Sequence, residues 1–328
     1  MSSSRNSKPD IKNEDSRGRR ASRPREIPRK GWGDVLLRVK DEQSDDNVSI
    51  IAAGVAFYWF LAIFPALAAA VSIYALAADP AQLQQQIDTL GTVLPPEAYR
   101  ILQAQLTTLV QHSGGALGLG MIFGILLTIW SANKGMKALI TALNIVYDEQ
   151  ERRGFIMLNA VSLLFTFCAI LLGLVAISLL IAVPALIGLV GFSGTLRALL
   201  TYLRWPLLGV FLAFGLALAY RFFPDRDAPK WRWVSWGSIS ATLLWLAGSV
   251  LFSLYVANFG SFGKTYGSMG AVAILLLWFY LTAYVILLGA ELNAEMEHQT
   301  REDSTVGRPE PLGRRRAYVA DTTGESRV

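Results

Sequence analysis

The sequence predicts an all-α integral membrane protein with six transmembrane helices and amphipathic helices at both membrane faces. Three observations carry that expectation. The 328 residues are 53% hydrophobic and only 17% charged, whereas an ordinary soluble domain carries about 25% charged residues. Long charge-free windows recur, and the one between Lys264 and Glu291 runs for 26 residues. A helix of that length outreaches the roughly 30 Å hydrocarbon layer. Lys and Arg, finally, alternate between dense and sparse segments, as loops on opposite sides of a membrane do.

Residues 1–31 are rich in Ser, Arg, Lys and Pro and nearly free of apolar side chains, so a disordered basic tail is expected. Its cations would contact anionic lipid or serve as a solvated topology signal, and no nucleic-acid partner is expected. A membrane domain over 32–297 follows. Trp32, Val35, Leu36 and Val39 fall at i, i+3, i+4 and i+7 and predict a short helix along the membrane surface. Asp34, Arg38, Asp41 and Glu42 lie off that stripe.

The first span, about 50–76, occupies the charge-free window Asn47–Ala78, with Pro65 removing one backbone hydrogen bond in mid-span. Residues 79–112, punctuated by Asp79-Pro80 and Pro95-Pro96, predict a helical hairpin on the face opposite the tail. The second span, about 115–133, carries Gly120 and Gly124 as a GxxxG pair suited to close helix contact. From Lys134 an interfacial helix continues, with Met136, Leu139, Leu143 and Val146 on its stripe and Asn144 near its charged end. The third span, about 155–187, is expected to kink or end near Pro184. The fourth, about 205–222, lies between Arg204 and Arg221, whose heads would extend to the interfaces. Trp231, Trp233 and Trp236 then sit at headgroup depth before the fifth span, about 235–258, which closes on Asn258. A glycine-rich link with Tyr266 and Gly267 enters the sixth, about 269–290, which carries Trp278 and ends in Gly289, Glu291 and Asn293. Residues 298–328 read as a second disordered tail.

Six spans place both termini on one side. The segments on that side hold 12, 4, 4 and 6 Lys and Arg, against 1, 2 and 1 in the opposite loops, so both tails are expected in the cytoplasm.

Phe57, Tyr58, Phe64 and Pro65, the Leu143-Asn144 pair, and the Tyr266-Gly267 to Gly289-Ala290-Glu291 stretch with Trp278 together resemble the YihY/BrkB family of bacterial inner-membrane proteins. The resemblance covers roughly residues 30–297, with Ala62 and Ile63 where a small polar residue would be expected. It implies a multi-pass protein of the bacterial inner membrane and supplies no agreed activity. The family's virulence-factor name describes a phenotype, and some members have carried a ribonuclease label.

The residues themselves point away from an enzyme. The two histidines, His112 and His298, fall on opposite sides of the membrane in this topology, and no HExxH, CxxC, GxSxG or phosphate-loop motif occurs. Cys168 is alone, which excludes an internal disulfide. No catalytic residue, cofactor or metal is expected. Membrane lipids are the expected partners. Two functions are open: handling or transport of a lipid or small amphipathic molecule, and a scaffold that binds a partner without transport. A cavity lined by Ser, Thr and Asn would favour the first, and a packed bundle with an exposed apolar groove the second. Pro65, Lys134, Asn144, Arg221, Asn258, Tyr266, Gly267, Trp278, Gly289, Glu291 and Asn293 form the candidate set. Within it, Glu291 reads either as a hydrated interfacial carboxylate or as a clamp paired with Lys134 or Arg221.

Overall fold

Apolar runs that cannot face water on any side must pack on one another and on lipid, and the chain does this as a ring of helices. The computed structural model describes residues 16–77, 116–190, 194–258 and 268–327. After a 3-10 turn at Pro24–Glu26 come α1 (Arg29–Asp45), α2 (Val48–Ala77), α3 (Ala116–Val146), α4 (Phe155–Val190), α5 (Gly194–Phe222), α6 (Trp231–Asn258), α7 (Ser268–His298) and the short α8 (Tyr318–Asp321). Among the described residues there is no strand, only an isolated bridge between Pro229 and Thr305. Consecutive long helices pack side by side from α2 to α7, and α7 closes back onto α2 and α3.

Five of the six long helices, α2 and α4 to α7, carry windows long and apolar enough to cross a membrane. Those windows are only 11% to 22% buried, the inside-out pattern of surfaces that meet lipid rather than water. The sixth, α3, contains the expected second span and the expected interfacial segment in one unbroken helix. Two other boundaries differ from expectation: of the two alternatives at Pro184 the helix does not end there, since α4 runs on to Val190, and α5 starts a full three turns before Trp205. Helix α2 keeps Pro65 inside its span. Proline is tolerated within spans because neighbouring groups take up the freed backbone bonds. Separately, Thr128 of α3 ties this helix to α2: its Oγ1 lies 2.6 Å from the Pro65 carbonyl and 2.8 Å from that of Gly124 in its own helix, and shares its proton between them. The GxxxG expectation fails at Gly124, where a Cβ would meet open space.

The close crossing is instead between α6 and α7. A Cβ on Gly237 would fall 2.1 Å from the Gly289 carbonyl, and one on Gly289 would fall 2.7 Å from Ala241 Cβ. Only glycine lets these backbones approach so near. The best-buried core, with Val48, Ala52, Leu143, Tyr220, Leu287 and Ala290, lies beside this crossing.

Where they are described, the ends of the chain are folded and not disordered as expected; residues 1–15 of the expected basic tail lie outside the described residues. Residues 16–28 and 299–327 fold over one end of the ring and bond to each other, with Arg301 N donating to Arg19 O at 2.9 Å and Arg19 Nη1 to Gln299 O at 3.2 Å, while Gly324 N fastens the C-terminal segment to His298 O of α7 at 2.9 Å. Their arginines find acceptors that composition cannot reveal: Arg17 grips both oxygens of Asp34 at 2.9 and 2.8 Å. Asp34 and Arg38 are accordingly the buried face of α1, whereas Leu36 and Leu37 are exposed. Trp233 is also buried there, against Val35 and Met296, while Trp231 and Trp236 stay exposed. The hairpin expected over 79–112, His112, Tyr266, Gly267 and the Asn258 side chain lie outside the described residues.

Candidate functional site

Helix α7 carries a polar stretch past its apolar run, and the folded tails bury it. Glu291, Asn293, Glu295, Glu297 and Gln299 are all 3% exposed or less. Buried charge is costly unless paired and hydrogen-bonded, and most of these groups are. Arg38 of α1 bonds through Nε to Glu295 and through Nη2 to Gln299 Oε1 at 2.7 Å. Arg226, in the turn after α5, reaches Glu297 at 2.6 Å, with both side chains fully buried. Its guanidinium lies 5.0 Å over the Tyr147 ring, and Ser304 donates to the same Glu297 oxygen at 2.7 Å.

Glu291 differs. It is 1% exposed, and no N–H or hydroxyl donor reaches its Oε1. Among the described residues no Lys or Arg forms an ion pair with it. Of the two readings of Glu291, the hydrated carboxylate does not match a side chain 1% exposed, and the clamp with Lys134 or Arg221 is absent. Lys134 points away, 3.8 Å over the Trp130 ring, and Arg221 packs 4.6 Å over Trp231 while donating to the Pro229 carbonyl. Both cations lie on the outer rim because their helices turn those faces outward. The groups that do face Glu291 are acids: Asp46, Glu295 and Glu42. Asp46 lies close enough to Glu291 for the two carboxyl groups to interact. Burial first, then the charges of Asp148 and Glu42, push Asp46 up to about 7. Burial also raises Glu42 and Asp148 above the usual carboxylate range.

The other candidates divide by place. Asn293 accepts from Gly237 N at 2.8 Å and donates to Val234 O at 3.3 Å, fastening α7 to α6 beside Gly289. Asn144 accepts from Asp225 N at 2.8 Å and donates to Glu151 at 3.0 Å, which ties the end of α3 to the turn before α6. Pro65 and Trp278 lie away from this floor, and Trp278 packs on Trp245 and Phe252 at 5.6 and 5.2 Å between ring centres. Sequence reasoning missed Arg38, Asp46, Arg226, Glu295 and Glu297. Two of these, Glu295 and Glu297, had a signal: Glu291, Glu295 and His298 repeat at i, i+4 and i+7, and Asn293 and Glu297 at i and i+4. His298 Nδ1 sits 3.4 Å from Glu295 Oε1. Among the described residues no group of three or more His, Cys, Asp and Glu is placed to hold a metal ion.

Within the ring, on the α3–α6 side, lies a cavity of about 800 Å³. Met136 and Leu139 of α3, Leu164 to Ala176 of α4, Trp205 to Phe223 of α5, and Trp245 with Leu246 of α6 supply its walls. The lining carries no charged residue. Gly173 and Gly209 both line it and would each project a Cβ into free space. These walls do not present the Ser, Thr and Asn lining that sequence reasoning associated with transport; an apolar groove with exposed walls, as at Leu164 and Trp205, is the feature it associated with a scaffold.

A family model for virulence factor BrkB matches residues 39–312. A ribonuclease-like protein of Bacillus subtilis, YfkH, is 31% identical over 249 residues, covering 74% of this chain and 88% of its own. A UPF0761 membrane protein of Idiomarina loihiensis is 26% identical over 261 residues, covering 77% of this chain and 87% of its own. No solved structure matches. The family match takes in all six long helices, the glycine crossing and the buried acids of α7, and on it the chain belongs to the virulence factor BrkB family of membrane proteins.

Proposed function

We propose that the protein handles a membrane lipid or a similar amphipathic molecule, with the hydrocarbon part in the chamber between α3 and α6. The apolar lining of that chamber carries the reading. Its volume, about 800 Å³, is within the range of small-molecule sites. An apolar cavity of this kind stays dry, and its walls forgo dispersion contacts until a chain fills them. A lipid tail entering from the bilayer exchanges one hydrocarbon surround for another, so entry and exit are both nearly free of cost. A polar solute would lose its hydration for nothing. The charge bias of the loops supports placing the end with both termini in the cytoplasm of a bacterial inner membrane. No catalytic role is part of this reading: the ribonuclease-like name of the Bacillus relative brings no base, acid and cationic groove together here.

Reconstitution into liposomes tests it. The wild-type protein should speed transfer of a tail-labelled phospholipid between leaflets, and Gly173→Phe with Gly209→Phe should suppress that transfer while the protein stays folded. Transfer no faster than in protein-free liposomes, or unaffected by filling the chamber, would overturn the reading. A partner helix is the other occupant an apolar groove admits, and a filled-chamber variant that loses a co-purifying protein but no lipid transfer would favour the scaffold reading.

A further inference from the structure

Helix α3 has a second, outward face, and we propose that it binds the phosphate of an anionic glycerophospholipid. Lys134, Lys137 and Thr141 follow at i, i+3 and i+7, which puts two ammonium groups and a hydroxyl on one side of the helix. Across from them Ile51, Gly54, Val55 and Tyr58 of α2 complete a groove of about 480 Å³.

The groove is shaped and polarised for this ligand. Its lining has two cations and no acid, and among the described residues no carboxylate pairs with either lysine. Lys137 is nonetheless held in place: its Nζ donates to Asn159 Oδ1 at 2.5 Å, and Asn159 Nδ2 is anchored on the Phe155 carbonyl at 2.6 Å. That uses one of three ammonium protons and leaves two for a ligand. Lys134 Nζ rests 3.8 Å over Trp130, an exposed indole of the kind that marks headgroup depth. Between the lysines and the bundle the walls are apolar, with Val55, Ala138 and Ile145, and a Cβ at Gly54 would meet nothing within 4 Å. A phosphate at the lysines with a chain segment over Gly54 satisfies both halves. The groove lies on the opposite side of α3 from Met136 and Leu139, which face the chamber, so the site stands whether or not the chamber carries lipid.

The test uses the full chain in phosphatidylcholine nanodiscs containing a minor fraction of phosphatidylglycerol, with retained lipid read by native mass spectrometry. Wild-type protein should retain phosphatidylglycerol above its bulk share. Lys134→Gln with Lys137→Gln should lower that retention roughly 25-fold, two lysines contributing about fivefold each at a membrane surface. Gly54→Leu should lower it as well, with both charges intact, because the added side chain fills the groove. Thermal unfolding in pure phosphatidylcholine should be unchanged in Gly54→Leu and close to wild type in the lysine variant, because an amide at position 137 can still donate to Asn159 Oδ1. The proposal falls if wild-type retention matches the bulk share, or if the lysine pair lowers it and Gly54→Leu does not. That second result would mean diffuse attraction to a charged surface rather than a built site. Gly173→Phe with Gly209→Phe should leave retention intact, which separates this site from the chamber.

Discussion

Replacing Asp46 by Asn should stabilise the protein above neutral pH and leave it unaltered near pH 4. Asp46 lies beside Glu291 and faces Asp148 and Glu42, and burial followed by the charges of Asp148 and Glu42 raises it from 3.8 to about 7. In the unfolded chain the same carboxyl ionises near its ordinary value. Between the two values the folded protein holds a proton that the unfolded chain has lost, so stability falls as pH rises through that window. Below it both states are protonated and no penalty exists; above about 7 both are charged and the penalty is complete. A shift of about three units sets a ceiling of roughly 4 kcal/mol at 1.36 kcal/mol per unit. Asp46 is only half-buried, and screening by water reduces this to about 1–2 kcal/mol. Asn keeps the size, removes the charge and offers an amide donor to Glu291. Unfolding of the purified wild type and Asp46→Asn, followed from pH 4 to pH 8 in one detergent, should show a stability gap that opens between pH 4 and 7 and then levels. A gap independent of pH would refute the reasoning, and a variant less stable than wild type at pH 8 would show that the Asp46 charge has a favourable partner.

Further outcomes follow from the same geometry. Arg226→Met strands Glu297 in a fully buried setting and should cost about 3–5 kcal/mol in chemical unfolding, most of it recovered in the Arg226→Met, Glu297→Met double variant. Gly237→Ala forces its Cβ to within 2.1 Å of the Gly289 carbonyl and should destabilise by about 1–3 kcal/mol or more, while Gly54→Ala, with open space, should be neutral. Reporter fusions after residues 150 and 229 should read cytoplasmic, and fusions near 90 and 262 periplasmic; a cytoplasmic reading near 90 would break the topology.

The helices were legible because hydrocarbon length and the absence of charge leave few alternatives. A window such as Val48–Pro65 or Trp231–Ala257 has no other way to satisfy its backbone in lipid. The burial of Glu291 was half legible: a charge directly after a long apolar run is either wet or paired, and sequence offered Lys134 and Arg221 as partners. Helical phase decides against both, and phase depends on how α3 and α5 rotate in the ring. The tails were illegible for a different reason. Residues 16–28 have almost nothing apolar to bury, so composition reads them as disordered; their order rests on polar pairs such as Arg17–Asp34 and Arg19 with the Gln299 carbonyl, whose partners are distant in sequence. Asp34 and Arg38 look solvent-facing on a helical wheel for the same reason, since each is buried by an opposite charge or carbonyl from another element.

The placement of polar ties around the ring bears on how a lipid could enter. In a bilayer the helices gain little from hiding apolar surface, so specific contacts decide which pairs stay together. Helix α7 is fastened to α6 through Asn293 and the glycine crossing, to α2 through the hydroxyl pair of Ser49 and Tyr280 at 2.8 Å, and to α1 through Tyr284 and Gln43 at 2.6 Å. Tyr220 of α5 donates to the Ile286 carbonyl of α7 at 2.8 Å. Among the described residues helix α4 has one such tie, the Lys137–Asn159 bond near its start, and otherwise meets its neighbours through apolar contacts such as Phe165 on Phe222 and Phe223. Those contacts are the kind a lipid chain replaces at little cost. The same helix forms one wall of the chamber, from Leu164 to Ala176. Among the described residues the ring is thus bonded firmly along α2, α7 and α6 and loosely along α4, the helix that walls the apolar cavity and that a lipid entering under the proposed function would displace.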